Sequence, residues 1–198
     1  MVAQGSAIAL NKIDVIMIGP LAGAVEVGTY SVAMRMTFLA MVLTEIVALF
    51  MAPKIIRIGA SGDRAAQWRI LKTAVALQAG ALAVTVIPLL LFRTQIITLI
   101  FGAEYADVAW TFVILQVGKT LTAVFAPVIV LFTALGFNRD MAKVAAFASV
   151  LNIAMNFFLV PRYGADGAAF ATTVSLMLMF GNYLRLSQRI RNAAGPAA

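Results

Sequence analysis

Val144-Ala-Ala-Phe-Ala-Ser-Val-Leu-Asn-Ile-Ala-Met-Asn-Phe-Phe-Leu-Val160 runs into Pro161-Arg-Tyr-Gly-Ala-Asp-Gly167, and the apolar character resumes over Ala168–Leu186. Neither flanking run has the period-two alternation of a barrel strand, and each approaches the roughly 20 apolar residues that a membrane-spanning helix needs. In lipid an isolated span must satisfy its own backbone hydrogen bonds, so both runs read as helices. The proline- and glycine-bearing segment between them reads as a turn at the membrane surface, with Tyr163 suited to headgroup depth.

Working outward from this hairpin, the same pattern fills the chain. Of the 198 residues, 63% are apolar and 12% are charged, about half the charge of a soluble domain. Apolar segments occur at about Met1–Ile18, Thr29–Met51, Ala74–Phe92, Val108–Leu135, Val144–Val160 and Ala168–Leu186. The expectation is an all-α integral membrane protein with a bundle of about six transmembrane helices. Residues 1–191 form a single polytopic lobe, and 192–198 a short disordered tail. Gly19-Pro20 and Gly23 are expected to end the first span and Pro53 to close the second. Ile96–Phe101 is too short to cross and is expected to lie on the membrane before a break at Gly102.

Charge is distributed unevenly among the connections. The segments around Lys54–Lys72 and Gly136–Lys143, with the C-terminal tail, carry Lys54, Arg57, Arg64, Arg69, Lys72, Arg139, Lys143, Arg185, Arg189 and Arg191. The alternate connections carry only Arg93 and Arg162, beside Glu26, Glu104, Asp107 and Asp166. Positive charge gathers on cytoplasmic loops, so both termini are expected in the cytoplasm. The net charge of +7 is thus topological, and no nucleic-acid partner is implied. Met1–Leu10 lacks the basic start and cleavage site of a signal peptide.

Several chemistries are excluded by composition. With no histidine and no cysteine, imidazole and thiolate metal sites, histidine bases and cysteine nucleophiles are absent. Gly59-Ala-Ser-Gly62 lacks the lysine and flanking strand of a phosphate loop. No enzyme, cofactor or metal is expected, and any transport is not driven by an ATPase within this chain.

Five ionisable residues fall at membrane depth: Lys12, Asp14, Arg35, Glu45 and Lys119. Each costs about 2.5–3.5 kcal/mol at a span centre on insertion scales, so each is expected to face the bundle interior or a watery cavity. Lys12, Asp14 and Arg35 lie near span ends, where snorkelling is the simpler account. Lys119 is mid-span, and Glu45 has a salt bridge to a neighbouring span as its competing role. Gln116, Lys119 and Thr120 share one helix face, as do Ser149, Asn152 and Asn156, and Thr172 and Ser175. Such stripes serve equally to hydrogen-bond packed helices to one another.

Three stretches carry a family resemblance: Asp14-Val-Ile-Met-Ile-Gly-Pro-Leu-Ala-Gly23 with Val27-Gly-Thr-Tyr-Ser-Val-Ala33, Ile96-Ile-Thr-Leu-Ile-Phe-Gly-Ala-Glu-Tyr-Ala106, and Leu151–Thr172. Together they resemble the C-terminal half of polysaccharide (O-antigen type) flippases in the multidrug/oligosaccharidyl-lipid/polysaccharide exporter superfamily. The resemblance implies alternating-access export of an undecaprenyl-diphosphate-linked oligosaccharide across the bacterial inner membrane, for surface polysaccharide and lipopolysaccharide biosynthesis. It further implies a partner N-terminal lobe, from the same gene, another chain or a second copy. On that view Lys119, Arg35 and Lys12, with Gln116, Asn152 and Asn156, meet the substrate, while Glu45 and Asp14 are coupling or structural acids. The alternatives are a drug/cation antiporter of the same superfamily, which favours buried carboxylates over cations, and a truncated non-transporting remnant.

Overall fold

The structure, a computed structural model, describes residues 13–193. Over this range the helices are α1 (Ile13–Ala22), α2 (Ala24–Gly59), α3 (Arg64–Leu91), α4 (Arg93–Phe101) and α5 (Val108–Ala134). A 3-10 turn at Ala103–Tyr105 precedes α5, and a helical stretch, Asn138–Ala193, follows it. That last stretch is not one rod, because Gly164 breaks it at φ 54° and ψ −132°. The Asn152 amide reaches the Thr172 hydroxyl at 3.2 Å, whereas twenty residues of straight helix would separate them by about 30 Å. The stretch therefore folds back as two antiparallel limbs, α6 (138–163) and α7 (165–193). Among the described residues there is no strand, and the chain is an all-α membrane bundle.

The expected turn at Tyr163–Gly167 is thus tighter than a loop. A single residue reverses the chain, and its positive φ is open to glycine at little cost. A Cβ at Gly164 would also run into the Glu26 carboxylate. That carboxylate accepts a 2.7 Å hydrogen bond from the Ala165 backbone N–H, so the first turn of α2 caps the first turn of α7.

Two turn expectations are corrected. The first helix does not end at Gly19-Pro20 but runs through them to Ala22; of the residues expected to end it, Gly23 (φ 91°) is the one that does. Pro53 does not close the second span either, since α2 continues past it to Gly59. Proline removes one ladder hydrogen bond, but packed membrane helices accommodate that loss, as α3 and α5 do at Pro88 and Pro127. The helix stops where the sequence favours a turn. Asp63 accepts from the Ala66 N–H at 3.0 Å to cap α3, and the Gln67 amide donates to the Gly59 carbonyl at 3.1 Å.

α4 has nine residues, about 14 Å of helix, too short to cross a bilayer. Its Ile97 is buried in the core while Leu99 and Ile100 are exposed. The four stretches long and apolar enough to span are α2, α3, α5 and the α6–α7 pair. α5 is the centre of the bundle and packs against α2, α3 and the α6–α7 pair. Small side chains line these seams, and Ala33, Ala40, Ala168, Ala169 and Ala171 are fully buried. Lipid tails are as apolar as leucine, so close packing and interhelical hydrogen bonds hold helices together here. Thr85 of α3 donates to the Ala40 carbonyl at 2.7 Å, and Thr173 of α7 to the Ile114 carbonyl at 2.7 Å.

Gly164→Ala is expected to lower unfolding stability by about 1–3 kcal/mol, from the strained φ together with displacement of the Glu26 cap. Thermal unfolding of the purified chain in detergent measures this. Gly181→Ala, at a helical position with open space around it, is the matched control and should not destabilise the chain.

Candidate functional site

The most densely bonded polar cluster among the described residues is built on Asp14, whose side chain is 1% exposed. Its two oxygens take three donors from three other helices. The Tyr30 hydroxyl of α2 and the Thr172 hydroxyl of α7 each donate to Oδ2 at 2.6 Å. The Asn156 amide of α6 donates to Oδ1 at 2.7 Å. Asn156 also donates to the Asn152 carbonyl oxygen at 3.3 Å, and Asn152 donates onward to Thr172 at 3.2 Å. A buried carboxylate is tolerable when its lone pairs are filled in this way. Asp14 is therefore not a snorkelling residue, which corrects the simpler account of it.

Helix geometry explains the convergence. Asn152 and Asn156 lie one turn apart on α6, so a single face of that helix presents both. The Gly164 reversal then brings Thr172 of α7 level with Asn152. Tyr30 enters from α2, where it is fully buried. One polar atom remains over, since Asn156 Oδ1 is buried and without a hydrogen-bond partner.

A second polar feature sits on α5. Gln116 is 1% exposed and donates through Nε2 to Thr120 Oγ1 at 3.2 Å. Both residues line a groove of about 310 Å³ between α3 and α5, whose other walls are Val86, Leu90, Val113, Val117 and Leu121. Lys119 is half-buried one turn along from Gln116. α5 thus carries a cation and two polar side chains within one turn of helix.

The other candidates are placed differently. Arg35 and Glu45 are exposed on α2, on the surface of the bundle and not in its interior. The salt bridge to another span, the competing account of Glu45, is not found: the ion pair among the described residues is Lys143–Asp140 at 3.7 Å. Lys12 lies outside the described residues. Two members of the cluster, Tyr30 and Thr172, were not singled out as site residues from sequence. Thr172 had a signal in its shared face with Ser175. Tyr30 had none of its own, since a tyrosine near a span end reads as an interfacial anchor.

The chain is similar to a curated protein named "Probable low-salt glycan biosynthesis flippase Agl15", from Haloferax volcanii. The two are 25% identical over 162 residues, which is 82% of this chain and 34% of that protein. The chain thus spans about a third of the length of that relative. No family model matches the chain, and no solved structure does. The flippase resemblance carried by the sequence motifs is borne out by this similarity.

The Asp14 cluster makes a stability prediction that does not depend on function. Asp14→Ala strands three buried donors and is expected to destabilise the chain by about 3–5 kcal/mol. Asp14→Asn should cost clearly less: rotation of the Asn156 amide turns its unpartnered oxygen towards the new N–H donors. Unfolding midpoints in detergent distinguish the two variants.

Proposed function

We propose that the chain is one lobe of a flippase that exports a lipid-linked glycan, and that it works by alternating access against a second lobe. The observation that carries this is the surface of α2. Arg35 and Glu45 are exposed on a helix whose most apolar window has a mean hydropathy of 2.0. Phe38, Leu49 and Phe50 are more than 70% exposed on the same helix. Lipid is a poor solvent for a guanidinium and a carboxylate at that depth. A watery cavity between two protein units accommodates both. Similarity to a glycan-biosynthesis flippase supports the same reading, as does the absence of a catalytic constellation in the sequence.

Within this proposal the substrate is an undecaprenyl-diphosphate-linked oligosaccharide, and Arg35 and Lys119 compensate its diphosphate charge. Gln116 lends polar character to the nearby α3–α5 groove, and Asn152 and Asn156 act through Asp14, which holds them. Asp14 is the coupling or structural acid of the lobe, and Glu45 borders the cavity. The membrane is the bacterial inner membrane, with both ends of the lobe in the cytoplasm. The protein acts as a transporter and not as an enzyme. The second lobe comes from the same gene, from another chain or from a second copy. A drug/cation antiporter of the same superfamily is the second reading, and the buried Asp14 carboxylate is the observation that favours it.

Cysteine labelling tests the orientation, because the chain has no native cysteine. Ser61→Cys should be shielded from an impermeant thiol reagent in intact cells, and Glu104→Cys should react; the reverse pattern inverts the lobe.

Export is tested in a flippase-deficient strain carrying the assembled transporter, with surface glycan as the readout. Lys119→Ala is expected to reduce export by roughly 10–100-fold, the loss of one charge-assisted hydrogen bond to a phosphate. Lys119→Arg should retain part of it. If Asp14→Asn restores export to Lys119→Ala, then Lys119 is the counter-charge of Asp14 and does not bind the diphosphate. If Arg35→Leu exports as well as the native protein, the cavity assignment of α2 fails.

A further inference from the structure

The basic segments around Lys54–Lys72 and Gly136–Lys143 are far apart in sequence, and the fold brings them to one end of the bundle. Gly59, at the C-terminus of α2, approaches the C-terminus of α5 so closely that a Cβ there would lie 3.0 Å from Ala134 Cβ and 3.1 Å from Leu131 Cδ1. A shared core lies beneath, with Met51 and Ile55 of α2, Leu71 and Ala74 of α3 and Leu131 of α5 packed together. Phe132 of α5, Met141 of α6 and Tyr183 of α7 continue that core under the α5–α6 turn. The α2–α3 turn and the α5–α6 turn are therefore neighbours on a packed base, not independent loops.

That base presents Lys54, Arg57, Arg64, Arg69, Lys72 and Arg139, all exposed. None of the six makes a side-chain hydrogen bond or ion pair among the described residues. The two acids at this end are already engaged. Asp63 caps α3, and Asp140 pairs with Lys143 at 3.7 Å. Trp68, 56% exposed between Arg64 and Arg69, is the amphipathic ring that settles at headgroup depth. The opposite end is built the other way, with Glu26 and Asp166 bound into the α2–α7 and α5–α7 contacts.

We infer that this basic end is a binding surface for anionic phospholipid headgroups of the adjoining leaflet. The recognition is by charge complementarity. Packed helix ends hold several unneutralised cations at headgroup depth, where a phosphodiester in the leaflet supplies the missing negative charge. The positive-inside bias accounts for which loops are basic. It does not by itself require the cations to be gathered on one rigid base with their acids engaged. The inference is independent of what the lobe transports.

The test uses the whole chain in nanodiscs of mixed phosphatidylcholine and phosphatidylglycerol, with spin-labelled lipid reporting the relative association of each headgroup. The native chain should prefer phosphatidylglycerol. Each of Arg57→Gln, Arg64→Gln and Arg69→Gln should lower that preference by up to about fivefold, and the triple variant should bring it close to none. The triple Arg→Lys variant, which keeps the charge, should retain it, and about 1 M salt should abolish it for the native chain. Arg162→Gln, at the opposite end, should leave it unchanged. Retention of the preference by the triple Gln variant, its loss in the triple Lys variant, or an equal loss in Arg162→Gln overturns the inference.

Discussion

A bundle of apolar helices in lipid has little reason to choose one arrangement over another, since moving a leucine from lipid to a helix seam gains almost nothing. What breaks that degeneracy here is the Asp14 carboxylate. Left unpaired at membrane depth it would be strongly unfavourable, and donors from α2, α6 and α7 together satisfy it. Each bond is short and directional, so the helices that supply the donors are fixed in height and rotation relative to α1. The alanine-lined seams then close around a geometry already set. Individually such interhelical bonds average about 0.6 kcal/mol. Their effect on specificity is larger than that figure, because an arrangement that parts these helices takes the donors away from a buried carboxylate.

The same constraint separates two kinds of polar residue that composition alone treats alike. Asp14, Asn152 and Asn156 are turned inwards and consumed by one another. Arg35 and Glu45 are turned outwards, on a face otherwise fit for lipid. Lys119 belongs to neither group and is half-buried on α5. An interior acid and outward charges divide naturally into a part that holds the lobe together and a part that meets whatever lies beyond it.

Much of this was legible in the sequence because lipid imposes such a narrow set of solutions. The spans at 144–160 and 168–186, the reversal between them and the grouping of basic connections all follow from hydropathy and charge. Helix ends were harder. Pro53 and Gly19-Pro20 carry strong breaker signals in water, but a helix held by neighbours continues through them, so the true ends fall at Gly59 and Gly23. For the polar cluster, periodicity placed Asn152 and Asn156 on one face. It had no means of finding the Tyr30 hydroxyl, or an aspartate 142 residues away from Asn156. Which helix faces which is a tertiary fact, and a single sequence does not encode it in any local pattern.

The single-residue reversal at Gly164 also has a mechanical meaning. Two helices joined by a flexible loop can slide or splay independently; α6 and α7 are joined at a point and clamped there by Glu26. The Asn152–Thr172 hydrogen bond ties the two limbs again further along their length. At the far end Met141 of α6 and Tyr183 of α7 are buried in one cluster with Phe132 of α5, so the limbs are joined by a point at one membrane face and by a packed core at the other.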